Sequence, residues 1–173
     1  MKSYDEIPSG LDLQERTLIC IGRLIADWAN CESNFSSIFS RFIGRPNGNS
    51  DIVWLSINSL EARLDLLWAL IKFEKAVAPA TIKELKECID DFREVSGLRN
   101  YYCHAIYITD DDDVNFESVD KWRLAKPTQA HAFNEQRKAV SERSIEELCT
   151  AIDKCGEIST RINQAATALE SQL

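Results

Sequence analysis

The residues best suited to chemistry lie together between Gly97 and His104, in the segment GLRNYYCH. On a helix, Asn100 and His104 are four positions apart and share one face, with Arg99 beside them. Histidine can transfer protons near neutral pH, arginine presents a planar fork that fits phosphate oxygens, and asparagine can hold a ligand or a neighbouring side chain by hydrogen bonds. We therefore take Arg99, Asn100 and His104 as the candidate catalytic residues.

Each of these residues also has a purely structural interpretation. His104 can be a helix-terminal residue stabilised by the helix dipole, and Asn100 a polar cap at the same end. Arg99 can form a salt bridge at the edge of the core. Glu32, which also stands on an apolar stripe, is a suitable partner for Arg99, or alternatively for Arg63. Because removal of one member of a buried ion pair leaves the other uncompensated, Glu32 is predicted as a supporting residue.

Four amphipathic helices carry these residues, and they are predicted near 11–43, 51–77, 80–104 and 144–172. In each helix, apolar residues recur every three or four positions, which is typical of a helix that packs one side against its neighbours. The stripe of the first helix consists of Leu18, Ile21, Ile25, Trp28, Glu32, Phe35, Phe39 and Phe42. Since most connections are short, we predict an all-α fold, an up-and-down four-helix bundle forming a single domain over residues 1–173.

Local signals indicate where these helices begin and end. Glycine and proline residues within 44–48 end the first helix. Thr81 with Glu84, and Ser144 with Glu147, have the spacing of a capping box, in which the two side chains accept hydrogen bonds from the first backbone amides of a helix. These pairs therefore predict the start of the third and fourth helices.

The stretch 105–143 does not follow the helical pattern. Residues 106–109 are mostly β-branched, and loose alternation of apolar residues resumes after Asp113, so we predict a small hairpin or an irregular insertion between helices 3 and 4. The acidic run Asp110–Asp113 predicts a solvated turn. It lacks the glycine and the distal glutamate of a calcium-binding loop.

The composition excludes several classes of function. A net charge of -8 argues against a general nucleic-acid coat, because binding of phosphates depends mainly on Lys and Arg. No apolar run approaches the roughly 20 residues of a membrane helix, and the first residues, MKSYDEIPSG, do not resemble a secretion signal. We therefore expect no membrane partner and a cytoplasmic location.

The cysteine pattern predicts neither a metal site nor disulfides. The six cysteines contain no Cys-x-x-Cys pair, and no histidine stands at zinc-finger spacing from any of them. Most lie on or beside apolar stripes, so we interpret them as small buried side chains in a reducing compartment. No glycine-rich phosphate loop or nucleotide-binding unit is found either, and no cofactor is predicted.

The sequence Arg99-Asn100-x-x-x-His104, at the end of the third predicted helix, resembles the Arg-x4-His motif of the HEPN superfamily of helical-bundle proteins. The resemblance implies a metal-independent endoribonuclease, in which the motifs of two protomers form one composite site at a homodimer interface. Each copy supplies one histidine, so the pair can act as base and acid. Arg93 and Arg99, doubled by the two-fold axis, would make the local positive cleft that the acidic chain otherwise lacks.

The resemblance also implies a biological role as a toxin or defence effector, with RNA as substrate and an antitoxin protein as a further partner. Some toxins of the superfamily carry a tyrosine two residues after the histidine, but here Ile106 stands there and Tyr107 follows. Tyr107 is retained as a supporting residue. The alternative from another class is a non-catalytic helical interaction module, in which Arg99, His104 and Glu32 form a structural cluster.

Overall fold

The structure is a computed structural model that describes residues 7–8, 10–43, 49–104, 106–108, 123–125, 138–139 and 142–171. Their helices and strands are α1 (Leu13–Ile43), α2 (Asn49–Ser56), α3 (Leu60–Phe73), α4 (Pro79–Cys103), β1 (Ile106–Ile108), β2 (Arg123–Ala125), β3 (Lys138–Ala139) and α5 (Glu142–Glu170). The prediction of a predominantly helical, all-α protein is confirmed. Among the described helices, none combines the length and apolar character needed to cross a membrane.

Three short strands lie between α4 and α5 and form a small antiparallel sheet in the order β1–β2–β3. In its register, Tyr107 is opposite Leu124, and Arg123 is opposite both Ile108 and Ala139. The remainder of the predicted insertion, with the acidic run Asp110–Asp113, lies outside the described residues.

Helix α1 begins with a capping box that was not predicted. The amide of Asp12 donates to the Glu15 carboxylate at 3.1 Å, and the amide of Glu15 donates to the Asp12 carboxylate at 2.8 Å. These reciprocal bonds satisfy two amides that a helix start otherwise leaves without partners. Asp12 is thus the N-cap, and α1 begins at Leu13, two residues later than predicted.

The second predicted helix, 51–77, is wrong as a single element because the chain breaks between α2 and α3. The Ser59 hydroxyl accepts a hydrogen bond from the Ala62 amide at 3.1 Å and caps α3. The carbonyl of Ile57, which lies in the break, accepts from Nε of Arg63 at 2.9 Å. Side-chain bonds therefore satisfy backbone groups that one continuous helix would have used internally.

Neither predicted capping box begins a helix. Helix α4 starts at Pro79, whose fixed φ suits the first helical position, and the Ala78 carbonyl accepts from the Ile82 amide at 3.1 Å. Thr81 is consequently buried inside the first turn. Ser144 is likewise buried within α5, which starts at Glu142. The correct spacing occurs in both places, but each helix extends beyond it at the N-terminal end.

The predicted stripe of α1 is wrong in its first half by about one position. Leu18 and Ile25 are 50% and 40% exposed, whereas Cys20 and Leu24 are buried. The Sγ atoms of Cys20 and Cys149 of α5 lie 3.8 Å apart, and small side chains such as cysteine permit this close approach. The predicted stripe followed Leu18 and Ile21, whereas the smaller neighbours Thr17 and Cys20 are buried.

The helices divide into two compact units. The first unit comprises Met1–Asp27 and Val95–Lys154, and the second comprises Trp28–Glu94 and Cys155–Leu173. In the first unit, α5 contacts α1 through the Cys20–Cys149 pair and contacts α4 through a hydrogen bond between Glu147 and Tyr102. The last turn of α4, where the candidate residues lie, belongs to this unit.

In the second unit, an aromatic cluster joins α1 to α4. The ring of Phe92 lies 5.5 Å from that of Trp28 and 5.1 Å from that of Phe35, measured between centroids. Charged contacts join the other helices at the edges of this cluster: Glu32 of α1 pairs with Arg63 of α3, and Arg161 of α5 bridges to carboxylates of α4. The apolar centre and the charged rim therefore involve all four long helices.

Contacts within the second unit also correct the predicted up-and-down order. Cys31 of α1 donates to the Cys155 carbonyl of α5 at 3.2 Å, and ten residues further along α1, Arg41 pairs with Glu170 at 2.9 Å. Residue numbers increase along both helices from the first pair to the second, so α1 and α5 are parallel. In an up-and-down bundle of four helices, the first and last helices would be antiparallel. The break at Ile57 also creates α2, an additional element between α1 and α3 that a four-helix prediction lacks.

We expect Phe92→Ala to lower the free energy of unfolding by about 3–5 kcal/mol, because it removes a buried ring from the aromatic cluster. Phe73→Ala is the matched control, since Phe73 is 85% exposed. Its unfolding free energy should change by less than about 0.5 kcal/mol. Urea denaturation followed by circular dichroism measures both variants, and similar losses for the two would contradict the described core.

Candidate functional site

The candidate site lies on the last turn of α4, which Tyr102 attaches to α5. The Tyr102 side chain is fully buried, and its hydroxyl donates to Oε2 of Glu147 at 3.0 Å. Ser144 also forms a side-chain hydrogen bond with Tyr102. The ring of Tyr101 packs edge-on against that of Tyr102, with 5.2 Å between centroids. A buried phenol needs such partners, and this bonding fixes the turn on which the neighbouring polar residues stand.

His104 directly follows the last helical residue and continues the helical hydrogen-bond pattern. Its backbone amide donates to the Asn100 carbonyl at 3.1 Å. The side chain of His104 is exposed, and within the described part of the chain no hydrogen bond or ion pair to its imidazole is observed. The imidazole is therefore accessible to a ligand. Its position at the helix end is equally that of a residue stabilised by the helix dipole.

Arg99 and Asn100 are joined side chain to side chain. Nη1 of Arg99 donates to Oδ1 of Asn100 at 2.9 Å. Arg99 is half-buried and Asn100 is exposed. Because Asn100 is a neutral acceptor, this bond orients the planar guanidinium without cancelling its charge. Such a group is suited to binding an anion.

The contacts of the two supporting residues, Glu32 and Tyr107, are as follows. Glu32 lies in the second unit and forms an ion pair with Arg63, which is one of the two partners that the sequence suggested for it. Tyr107 is the central residue of β1, and its backbone pairs with that of Leu124. Arg99, Asn100 and His104 follow one another over the end of α4.

The expected contribution of Arg93 to a positive cleft is wrong. Its guanidinium contacts the Glu61 carboxylate at 2.8 Å and that of Asp65 at 2.6 Å, and Asp90 lies within 3.6 Å. These three carboxylates on α3 and α4 more than compensate for one positive charge. Arg93 therefore cannot offer a net positive surface to RNA.

Cys103 lies within the motif but is poorly suited to nucleophilic chemistry. Burial raises the pKa of its thiol, although the positive charge of Arg99 acts in the opposite direction. The reactive species is the thiolate, which a raised pKa disfavours. Among the described residues, no three His, Cys, Asp or Glu side chains are grouped so that they could hold a metal ion.

Sequence reasoning missed the bonds that Ser144 and Glu147 make to Tyr102. It assigned both residues to a helix cap, whereas the structure places them on the side of α5 that meets α4. The signal available in the sequence was their spacing of three, which puts two residues on one helical face as well as in a cap. Spacing alone does not distinguish these two uses.

We expect Tyr102→Phe to destabilise the protein by about 1–2 kcal/mol, because it removes the hydroxyl that Glu147 accepts from in a buried setting. Tyr101→Phe is the matched control on the adjacent residue, where no side-chain hydrogen bond of the hydroxyl is described. Chemical denaturation should show a clear loss for Tyr102→Phe and little change for Tyr101→Phe. Equal stabilities for these two variants would disprove a structural role of the hydroxyl.

Burial, reinforced by the hydrogen bond to Glu147, raises the pKa of Tyr102 above the ordinary value for tyrosine. A raised pKa in the folded state gives stability that is fully present below the unfolded pKa of about 10 and is lost as the pH rises above it. Tyr102→Phe should therefore weaken the alkaline loss of stability. Unfolding free energies measured at pH 8 and at about pH 10.5 test this, and an unchanged pH dependence would contradict it.

The comparisons with known proteins bear on neither the fold nor the site. No protein-family model, no curated protein and no solved structure matches this chain. The function is therefore inferred from the chemistry of Arg99, Asn100 and His104 and from the elements that hold them.

Proposed function

We propose that this protein is a metal-independent endoribonuclease of the HEPN type, with a composite active site formed by two copies of the chain. The observation that supports it is the arrangement of one turn: an exposed His104 lies one turn after Asn100, whose amide orients the guanidinium of Arg99. A proton-transfer group and an anion-binding group thus stand on a single, fixed helix end.

The proposed reaction uses the ribose 2'-hydroxyl as the nucleophile. His104 of one copy takes the proton of this hydroxyl, and the oxygen attacks the adjacent phosphorus. Arg99 stabilises the additional negative charge on the pentacoordinate phosphate through its planar fork. His104 of the other copy gives a proton to the departing 5'-oxygen, and the products are a 2',3'-cyclic phosphate and a free 5'-hydroxyl.

The requirement for two copies follows from this reaction. One histidine must be neutral to accept a proton while a second must be charged to donate one, and each motif contains a single histidine. A homodimer supplies both. We propose RNA as the substrate, a cytoplasmic location, which agrees with six free cysteines, and a role as a toxin or defence effector controlled by an antitoxin protein.

The proposal includes a four-helix bundle as the scaffold of the second unit. In that unit α1 contacts α3, α3 contacts α4, α4 contacts α5, and α5 contacts α1, through the pairs Glu32–Arg63, Asp65–Arg93, Asp91–Arg161 and Cys155–Cys31. A closed ring of four contacts supports a bundle. Helix α2 is then an additional element outside the ring.

The wild-type protein should cleave single-stranded RNA in the presence of a chelator, and it should leave single-stranded DNA intact because DNA has no 2'-hydroxyl. His104→Ala should lower the cleavage rate by about 100-fold or more, since it removes proton transfer. His131→Ala is the matched control: it removes the only other histidine, which lies outside the described residues, and should keep full activity. Equal cleavage by His104→Ala would contradict the assignment.

Two variants of the neighbouring residues separate charge from geometry. Arg99→Lys keeps the positive charge but loses the planar fork, and we expect a loss of at least about 10-fold in cleavage rate. Asn100→Asp would place a carboxylate on the guanidinium and should lower activity more than Asn100→Ala does. Circular dichroism and light scattering should show that all variants remain folded dimers, and a wild-type monomer at micromolar concentration would rule out the composite site.

A further inference from the structure

The short helix α2 exposes an unusual amount of apolar surface for its length. Ile52 is 67% exposed, Leu55 is 68% exposed and Val53 is 41% exposed. On its other side, Trp54 is buried, and its ring lies 5.2 Å from that of Phe39 of α1. A helix of a globular protein normally turns such residues inward and keeps a polar face outside. Contiguous exposed apolar residues of this kind mark interaction surfaces.

A cavity of about 420 Å³ adjoins α2 within the second unit. Leu55 and Asp51 of α2 line it together with Glu32 and Ser36 of α1 and Arg63 of α3. It is therefore continuous with the exposed apolar surface through Leu55. The cavity offers acidic and hydroxyl groups beside an aliphatic rim.

The charges lining this cavity do not balance. The guanidinium of Arg63 is bound to the Glu32 carboxylate and to the Ile57 carbonyl, and lies 5.9 Å from the centre of the Trp54 ring. Glu32 thus compensates for Arg63. Within the described residues, the Asp51 carboxylate forms no hydrogen bond or ion pair with a side chain, so one formal negative charge of the lining is left without a paired cation.

We propose that α2 and this cavity form a docking site for a cationic amphipathic helix of a partner protein. Aliphatic side chains of the partner would cover Ile52 and Leu55, and a lysine or arginine would enter the cavity and meet Asp51. The charge selects this occupant: a nucleic acid or an anionic membrane would bring phosphates to a carboxylate, and a second copy of α2 would bring another Asp51. The proposal does not depend on the proposed nuclease.

Three synthetic peptides of about 18 residues, with the same leucine face and a lysine, glutamine or glutamate polar face, provide the test. Binding to the full-length protein is measured by calorimetry and by amide chemical shifts. The lysine peptide should bind most tightly and the glutamate peptide least. The shifts should concentrate on α2 and on the α1 residues that line the cavity, such as Glu32 and Ser36.

Surface variants locate the binding. Leu55→Ser should weaken binding of the lysine peptide by about 5-fold or more through lost apolar contact, and Asp51→Asn by about 2- to 5-fold through a lost ion pair. Each has a matched control that should leave affinity unchanged. Phe73→Ser removes a similarly exposed apolar side chain, and Glu157→Gln removes one exposed carboxylate of α5.

Three results would overturn the proposal. The proposed cationic partner would be ruled out if the lysine peptide failed to bind or if all three peptides bound equally well. Equal effects of Asp51→Asn and Glu157→Gln would mean that attraction is spread over the acidic surface. If the wild-type protein is a dimer, Leu55→Ser is a monomer and no peptide binds, a second copy of the chain occupies this surface.

Discussion

The burial of Tyr102 is the constraint on which the candidate site depends. Its phenol is fully buried and is bonded to Glu147, so the last turn of α4 is held on the first turns of α5. Helical geometry then determines how exposed the residues on either side of Tyr102 are. Arg99 is half-buried and His104 is exposed, with the exposed Asn100 between them in sequence. Without this attachment the turn would be a fraying helix end, where side-chain positions are not maintained.

Arginine side chains join helices at several places in this acidic chain. Arg63, Arg93 and Arg161 are each bonded to carboxylates of neighbouring helices. Their positive charges serve to join helices in an acidic chain. Arg99 donates to the side-chain amide oxygen of Asn100 on its own helix. In a chain with a net charge of -8, the Arg99 guanidinium is the group that our proposal assigns to the phosphate.

Much of the fold could be predicted from the sequence because long helices have strong periodicity. The predicted bounds of α1, α4 and α5 agree with the structure to within two residues at each end. The break between α2 and α3 could not be found in this way, since apolar residues keep helical spacing across Ile57 while Ser59 supplies a cap. The buried side of α1 was missed because a close contact with α5 favours small residues such as Cys20 over larger neighbours.

The candidate residues themselves were found by composition and spacing, which place Arg99, Asn100 and His104 on one turn whatever the rest of the chain does. The contact that holds these residues in place could not be found in this way, because the bond between Tyr102 and Glu147 joins residues far apart in sequence. For the same reason the sequence left two partners open for Glu32, and a contact across helices selects Arg63. Tertiary contacts of this kind are not encoded in local patterns.

We propose that the ribose 2'-hydroxyl is the nucleophile and that His104 activates it. The most direct measurement compares an RNA that carries one cleavage site with the same RNA in which the nucleotide before that site is a 2'-deoxynucleotide, both in a chelator. The wild-type protein should cut only the unmodified RNA, and His104→Ala should cut neither RNA at a comparable rate. Equal cleavage of both RNAs by the wild-type protein would contradict it.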